Sequence, residues 1–248
     1  MDKGYYIEYF RLEREHWWFR ARKKIIACHI ESFCKNTKYK ILNIGAATGA
    51  SSEMLSAFGD VTSLEYDKDC CEFVKQQTGK EFICASITEL PFADESYDFV
   101  CAFDVVEHVS DHQKAMLEMT RVCRKSGIVF CTVPAFMFLW SHHDVVNHHE
   151  RRYTMKMLKN IIPDNGKVIF SSYFNTLLFL PIAVFRVIDK IFKPKFVRHD
   201  AGSDFSVIKN HLLDRMFYRI MLTDNFFIKR KIRLPFGVSI LLSFKKQE

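Results

Sequence analysis

The sequence predicts an α/β fold in which a doubly wound, mostly parallel sheet carries helices on both faces. Two observations carry this expectation. From residue 39 to residue 172, short apolar runs alternate with longer stretches whose apolar residues recur at helical spacing. The first run, Tyr39-Lys-Ile-Leu-Asn-Ile44, enters the small-residue turn Gly45-Ala-Ala-Thr-Gly49 and opens a helix, and the next, Val61-Thr-Ser-Leu-Glu65, ends in an acid. A strand-helix-strand rhythm demands crossovers, and right-handed crossovers gather the C-terminal strand ends along one edge, where ligands bind.

The elements follow in order. Residues 5–35 read as one or two helices, with aromatics and cations concentrated in Glu15-His-Trp-Trp-Phe-Arg-Ala-Arg-Lys-Lys-Ile-Ile26. Strands are expected at 39–44, 61–65, 81–84, 98–103, 127–133 and 167–172, with helices near 50–58, 68–77, 111–124 and 154–162. Residues 236–244 form a seventh strand candidate, preceded by an insertion over 173–235. The insertion opens on an apolar stretch from Tyr173 to Ile188, in which Pro181 and Arg186 argue against a plain spanning helix. A helix over 207–222 and the basic stretch Lys229-Arg-Lys-Ile-Arg233 complete it.

Composition narrows the partners. The net charge of +7 suits a basic solvated surface or a phosphate-bearing or membrane-apposed partner. No long basic run with interleaved aromatics occurs, so nucleic acid is not an expected partner. Aromatics reach 15%, mostly through 24 Phe, which favours a deep apolar core, a greasy pocket or a membrane-facing surface. None of the eight cysteines forms a C-x-x-C pair and several sit in apolar runs, which reads as free thiols in a reducing, cytoplasmic setting.

The strand, turn and second-strand acid together suit a nucleoside. Gly45 and Gly49 allow close backbone approach, the helix start offers free N–H groups, and Glu65 can accept both ribose hydroxyls. With Ser86-Ile-Thr-Glu-Leu-Pro-Phe92, Ser96-Tyr-Asp-Phe-Val100 and Phe103-Asp-Val-Val-Glu-His-Val109 added, the chain resembles class I S-adenosylmethionine-dependent methyltransferases over about residues 15–172 and the final strand. The resemblance implies a seven-stranded Rossmann-like sheet with an antiparallel last strand and a helical insertion before it. It implies S-adenosylmethionine as cofactor, held by Asn43, Gly45, Ala46, Ala47, Gly49, Glu65, Tyr66, Ser86, Ile87, Phe103 and Asp104. One domain is expected over 1–248: a lid at 1–35, a cofactor-binding core at 36–172, a cap at 173–235 and a final strand at 236–248. The sequence departs from the family at Asn43, Ala47 and Ser86, where an acid, a glycine and an acid are usual. Each departure softens a cofactor contact, which keeps open a second reading as a degenerate binding or regulatory module.

Methyl transfer from a sulfonium needs alignment, exclusion of water and sometimes a base; it needs no protein nucleophile. His108, His143 and His148 are the candidate bases, with packing roles as the alternative. Arg151, Arg152 and Tyr153 are candidates for binding an acceptor phosphate or carboxylate, with pairing to acids as the alternative. Trp18, Arg20 and Arg22 are expected in a lid over the acceptor, or else on an amphipathic helix packed on the sheet. No metal site is expected, because adjacent histidines point apart and His143 and His148 lack i, i+4 pairing. A narrower resemblance of His16–Arg22, His143-Asp144, His148, Arg151–Tyr153, Tyr173–Thr176 and Leu234–Gly237 is to bacterial methyltransferases associated with glycan or lipid-linked precursors. The expected reaction is O-methylation of a small or lipid-linked acceptor such as a saccharide. Residues 173–193 are then a substrate cap, a buried helix or a peripheral membrane contact.

Overall fold

The strands are β1 (Tyr39–Ile44), β2 (Gly59–Glu65), β3 (Ile83–Cys84), β4 (Tyr97–Phe103), β5 (Cys123–Pro134), β6 (Gly166–Phe174) and β7 (Ser239–Lys246). They hydrogen-bond in the order β3-β2-β1-β4-β5-β7-β6 in a computed structural model that describes residues 3–33, 38–192 and 211–248. Strands β1 to β5 pair in parallel, and β7 inserts antiparallel between β5 and β6. The strand order reverses between β1 and β4, and such a switch point opens a crevice at the C-terminal strand ends.

Period-two alternation assigns each strand residue to a face. Leu42, Ile44, Val100, Ala102, Val129 and Cys131 pack on one side with Ala115, Met116 and Met119 of α5 (His112–Val122) and Leu158 of α7 (Met155–Asn160). Ile41, Phe99, Cys101, Phe103 and Phe130 pack on the other with Ala21, Ile25 and Ile26 of α2 (Trp17–Glu31) and Leu55 of α3 (Ala50–Leu55). Met221 of α9 (His211–Leu222) and Ile228 of α10 (Asp224–Lys229) join this second side. Ile25 is fully buried, and truncating such a side chain to alanine costs about 2–5 kcal/mol. Helix α1 (Lys3–Glu15) reaches across to α4 (Lys68–Thr78), where the Tyr6 hydroxyl donates to Asp67 at 2.7 Å.

Several expected boundaries move. The third strand shrinks to two residues, and the last runs over 239–246 rather than 236–244. The apolar segment from Tyr173 divides: Tyr173 and Phe174 finish β6, and α8 (Phe179–Phe192) starts later. The break lies at Asn175, whose φ is +60 and whose N–H donates to the buried Asp224 carboxylate at 2.5 Å. Pro181 then stands in the first turn of α8, where its missing N–H costs nothing. The expected helix over 207–222 is seen from His211; residues 207–210, and Lys193 of the proposed contact segment, lie outside the described residues. Among the described residues, no helix is long and apolar enough to cross a membrane. The described cysteines are free, six of them buried and Cys84 exposed.

Candidate functional site

A cavity of about 1090 Å³ opens at the C-terminal edge of the sheet, beneath α1, α2 and α8. That is just above the ~300–1,000 Å³ typical of small-molecule sites. A cleft of about 240 Å³ at the opposite edge is partly filled by the Arg124–Asp98 ion pair and gathers no comparable chemistry.

One end of the cavity is built by the turn after β1. Gly45 has φ of +66, and a Cβ there would lie 2.3 Å from Val105 Cγ2, so only glycine fits. Gly49, at φ +94, caps α3. Ala47 occupies the left-handed region at φ +46, where glycine is the unstrained choice. The Glu65 carboxylate accepts from the N–H groups of Ala47 (2.9 Å), Tyr66 (2.8 Å) and Asp67 (3.1 Å), which fixes the turn against the end of β2. These contacts leave Glu65 on the cavity wall with acceptor capacity to spare, beside an exposed Tyr66. Ser86 and Ile87 line the same end, the Ser86 hydroxyl 2.8 Å from that of Thr88. The glycine cradle and strand-end acid fit a nucleoside. Ala46 is buried below the turn, its N–H donating to Leu64 O at 3.0 Å. Asn43 is buried too, donating from Nδ2 to Ser51 and Ser52 Oγ, both at 2.8 Å. It ties the turn together from beneath, and Asn43 does not line the cavity.

The centre is closed by α2. Arg22 pairs with Asp104 at 2.8 Å, donates to Thr132 Oγ1 at 2.9 Å and lies 5.3 Å from the Trp18 ring. Thr132 Oγ1 in turn donates to Asp104 Oδ1 at 2.9 Å. This network holds Asp104 at φ +56, a conformation that needs such support. Phe103 lines the wall beside it.

At the other end, the 3-10 turn Val106–His108 meets α6 (His142–Val146) and the loop after it. Glu107 is fully buried with both carboxylate oxygens unpartnered; burial, then the nearby Asp104 carboxylate, pushes its carboxyl well above the ordinary range. His108 is accessible within the cavity, yet the cavity walls, then the neighbouring His149 ring, bring its imidazole down to about 4. His149 Nδ1 lies 2.8 Å from Asp144 Oδ1, and Asp144 also accepts from Arg152 Nε (2.8 Å) and an Arg152 terminal nitrogen (2.9 Å). Burial pushes the Asp144 carboxyl up, but the hydrogen bonds from His149 and Arg152 outweigh it and hold the group well below the usual carboxylate range. His143 lines the cavity, its ring 5.8 Å from that of His149.

The cavity therefore gathers Gly45, Ala47, Glu65, Tyr66, Ser86, Ile87, Phe103, Asp104, Trp18, Arg22, Arg152, His108 and His143 of the expected site residues. It does not gather Asn43, Ala46, Gly49, His148, Arg20, Arg151 or Tyr153. His148 sits at φ +55 and directs the chain so that its neighbour, His149, lines the wall instead. Arg20 pairs with Asp214 at 3.4 Å and lies over the Tyr218 ring, which ties α2 to α9. Arg151 donates to the carbonyls of Val109 and Ser110 and pairs with Glu150. Tyr153 is buried, 2.7 Å from His112 Nδ1. Arg152 reaches the wall with its guanidinium committed to Asp144. Sequence reasoning set Glu107 at the ligand edge with Asp104 and His108 but gave it no role, and it missed Thr132, Asp144 and His149 as site-building residues; for His149 and Asp144 the available signal was the density of histidines and acids in 141–153.

Residues 42–131 match the family model for a methyltransferase domain. A Mycobacterium tuberculosis (strain ATCC 25618 / H37Rv) protein named "Probable S-adenosylmethionine-dependent methyltransferase Rv3030" is 27% identical over 161 residues, covering 63% of this chain and 58% of its own length. A demethylmenaquinone methyltransferase of Staphylococcus aureus (strain MRSA252) is 28% identical over 116 residues, covering 41% of this chain and 48% of its own. The chain thus spans about half the length of the curated relatives it matches. Among solved structures, a chain from the Haloferax volcanii complex of the Trm112 methyltransferase activator with a methyltransferase superposes with a TM-score of 0.61 at 14% identity, covering 99% of this chain and 95% of that one. The [4+2]-cyclase SpnF superposes with a TM-score of 0.60 at 13% identity, covering 93% and 82%. At such identities these two likenesses speak to the fold alone.

Proposed function

Because this chain carries a class I S-adenosylmethionine-dependent methyltransferase domain, with S-adenosylmethionine as its cofactor, we propose that it methylates an oxygen of a small or lipid-linked acceptor, a saccharide being one such acceptor. One observation carries the reading: a single cavity joins the glycine turn and Glu65 to the imidazoles of His108, His143 and His149. When bound, the cofactor supplies an electrophilic methyl group with its own leaving group. Gly45, Ala47, Glu65, Tyr66, Ser86 and Ile87 hold its nucleoside, and Phe103 and Asp104 border the middle of the cavity. Trp18 and Arg22 close the site from α2 and exclude water. His143 receives the proton of the acceptor hydroxyl at the imidazole end.

The cap supports a lipid-linked acceptor. Leu178, Ile182 and Phe185 of the segment around α8 line the cavity, while Leu180, Ile188 and Ile191 are exposed, as are Leu212 and Leu213 of α9. An apolar face of this kind suits peripheral contact with a lipid surface. The second reading, a binding module without turnover, draws on the structural use of Asn43 and on the three backbone N–H groups that already occupy Glu65.

Titration calorimetry with S-adenosylmethionine and S-adenosylhomocysteine tests the reading first. Micromolar binding of both, followed by transfer of labelled methyl to members of a sugar-phosphate and lipid-phosphate panel, is the expected result. Binding without transfer across the panel favours the module, and no binding by folded protein ends the enzyme reading.

A further inference from the structure

The corner between the 3-10 turn after β4 and the loop after α6 holds a buried carboxylate, Glu107, to which the proposed methyl transfer gives no role. One carboxylate oxygen of Glu107 and one ring nitrogen each of His108 and His149 lie within 4.8 Å of one another. The two backbone segments that carry them are joined, since the Glu150 N–H donates to the Glu107 carbonyl at 2.9 Å.

Three carboxylates meet here. Asp104 is paired with Arg22 at 2.8 Å and Asp144 with Arg152 at 2.8 Å. Glu107 has neither hydrogen bond to its oxygens nor exposure to water, although it lines the cavity. A buried, unpartnered acceptor is costly unless something at the site engages it. His149 is oriented as a ligand is. His149 commits Nδ1 to Asp144, which fixes the tautomer that leaves a lone pair on Nε2. His108 presents its ring to the same corner, accessible within the cavity. Metal-binding histidines characteristically spend their second nitrogen on a carboxylate or a backbone carbonyl, and Asp144 is that carboxylate for His149.

We propose that Glu107, His108 and His149 bind one divalent first-row transition ion whose remaining coordination positions face the cavity. Two imidazole nitrogens with one carboxylate oxygen suit manganese, iron, cobalt or zinc rather than calcium or magnesium. The role of the ion rests on the methyl-transfer reading: it binds the acceptor oxygen and lowers the pKa of its hydroxyl. The O–H bond breaks and its proton passes to His143; the electron pair left on that oxygen forms the new bond to the methyl carbon as the methyl–sulfur bond breaks, its electron pair leaving with the sulfur, which becomes neutral. An acceptor with a second oxygen next to the reacting hydroxyl gains a chelate.

The full chain, stripped with a chelator and dialysed, is titrated with Co²⁺ by visible absorption and with Mn²⁺ by electron spin resonance, both without S-adenosylmethionine. One equivalent is expected to bind in the micromolar range. Glu107→Gln and His149→Ala are each expected to weaken binding at least about tenfold, with cofactor affinity by calorimetry unchanged. Absence of binding below millimolar metal, or binding that survives both substitutions, overturns the proposal. If Glu107→Gln does not fold, His108→Ala gives the same readout from an accessible position. Cofactor binding without metal binding rejects the ion and leaves the methyl-transfer reading; metal binding without cofactor binding supports the ion site and removes the role assigned to it.

Discussion

The Nδ1 of His149 lies 2.8 Å from Oδ1 of Asp144, a carboxylate that is fully buried and gripped by Arg152. Arginine holds the acid, the acid holds the imidazole, and the imidazole faces the cavity. His149→Ala is therefore expected to lower the rate of methyl transfer by about 10²–10³ while leaving S-adenosylmethionine affinity within about twofold. Asp144→Asn is expected to lower the rate about 10–100-fold, because the ring loses its orientation, and to destabilise the fold because Arg152 is left unpaired. Steady-state kinetics beside thermal melts measures both. A His149→Ala enzyme with an unaltered rate removes His149 from the reaction.

Glu65 serves the turn and, in the proposed function, the ribose. Glu65→Ala strips acceptors from three N–H groups and is expected to weaken S-adenosylmethionine binding about 10–100-fold. Glu65→Gln keeps one carbonyl acceptor and is expected to fall between. Titration calorimetry is the measurement, and wild-type affinity in Glu65→Ala refutes the assignment.

Ala47 carries a φ of +46 on the cavity wall. Glycine has no Cβ penalty there, so Ala47→Gly is expected to raise stability by about 0.5–1 kcal/mol after the entropy of the freer unfolded chain is subtracted. Cofactor affinity should hold or tighten. Denaturant unfolding decides it; a loss of stability shows that the left-handed backbone is not strained.

His29 is buried among Phe33, Phe130 and Phe170, 3.0 Å from Ser243 Oγ. Burial, then the charge of Lys231, brings its imidazole from 6.5 to about 3. The folded pKa is depressed, so its contribution is fully present above about pH 6.5 and is lost as pH falls toward 3. The loss steepens toward about 1.4 kcal/mol per pH unit. Asp224 runs the other way. Burial, opposed by the N–H groups of Thr176 and Asn175, raises its carboxyl from 3.8 to about 6, so protonation between those values favours the fold. Comparing His29→Gln with wild type cancels the Asp224 effect. The variant is expected to lose less stability between pH 7 and pH 5 by urea unfolding, and parallel curves for the two proteins would show that His29 is not the acid-sensitive group.

Local chemistry made most of the sheet and the nucleoside end legible in the sequence. Alternation in Ile41-Leu-Asn-Ile44 and Phe99-Val-Cys-Ala-Phe103 follows the two buried faces, and Gly45 declares a close approach that Val105 then makes. These are short-range rules of period, turn and steric room, and each is written in consecutive residues. The acceptor end was not legible in this way. Whether His148 or His149 faces the cavity depends on one left-handed residue after a short helix, and a one-residue change of direction exchanges the two rings. Arg151, Arg152 and Tyr153 read alike as ligand binders until the fold supplies Val109, Asp144 and His112 as their partners. The sequence by itself determined the layered α/β architecture and the glycine turn at its edge. Only the tertiary structure decided which charges neutralise one another between separate parts of the chain, as in Arg152 with Asp144 and Arg22 with Asp104, and so which polar group, Glu107, is left for chemistry.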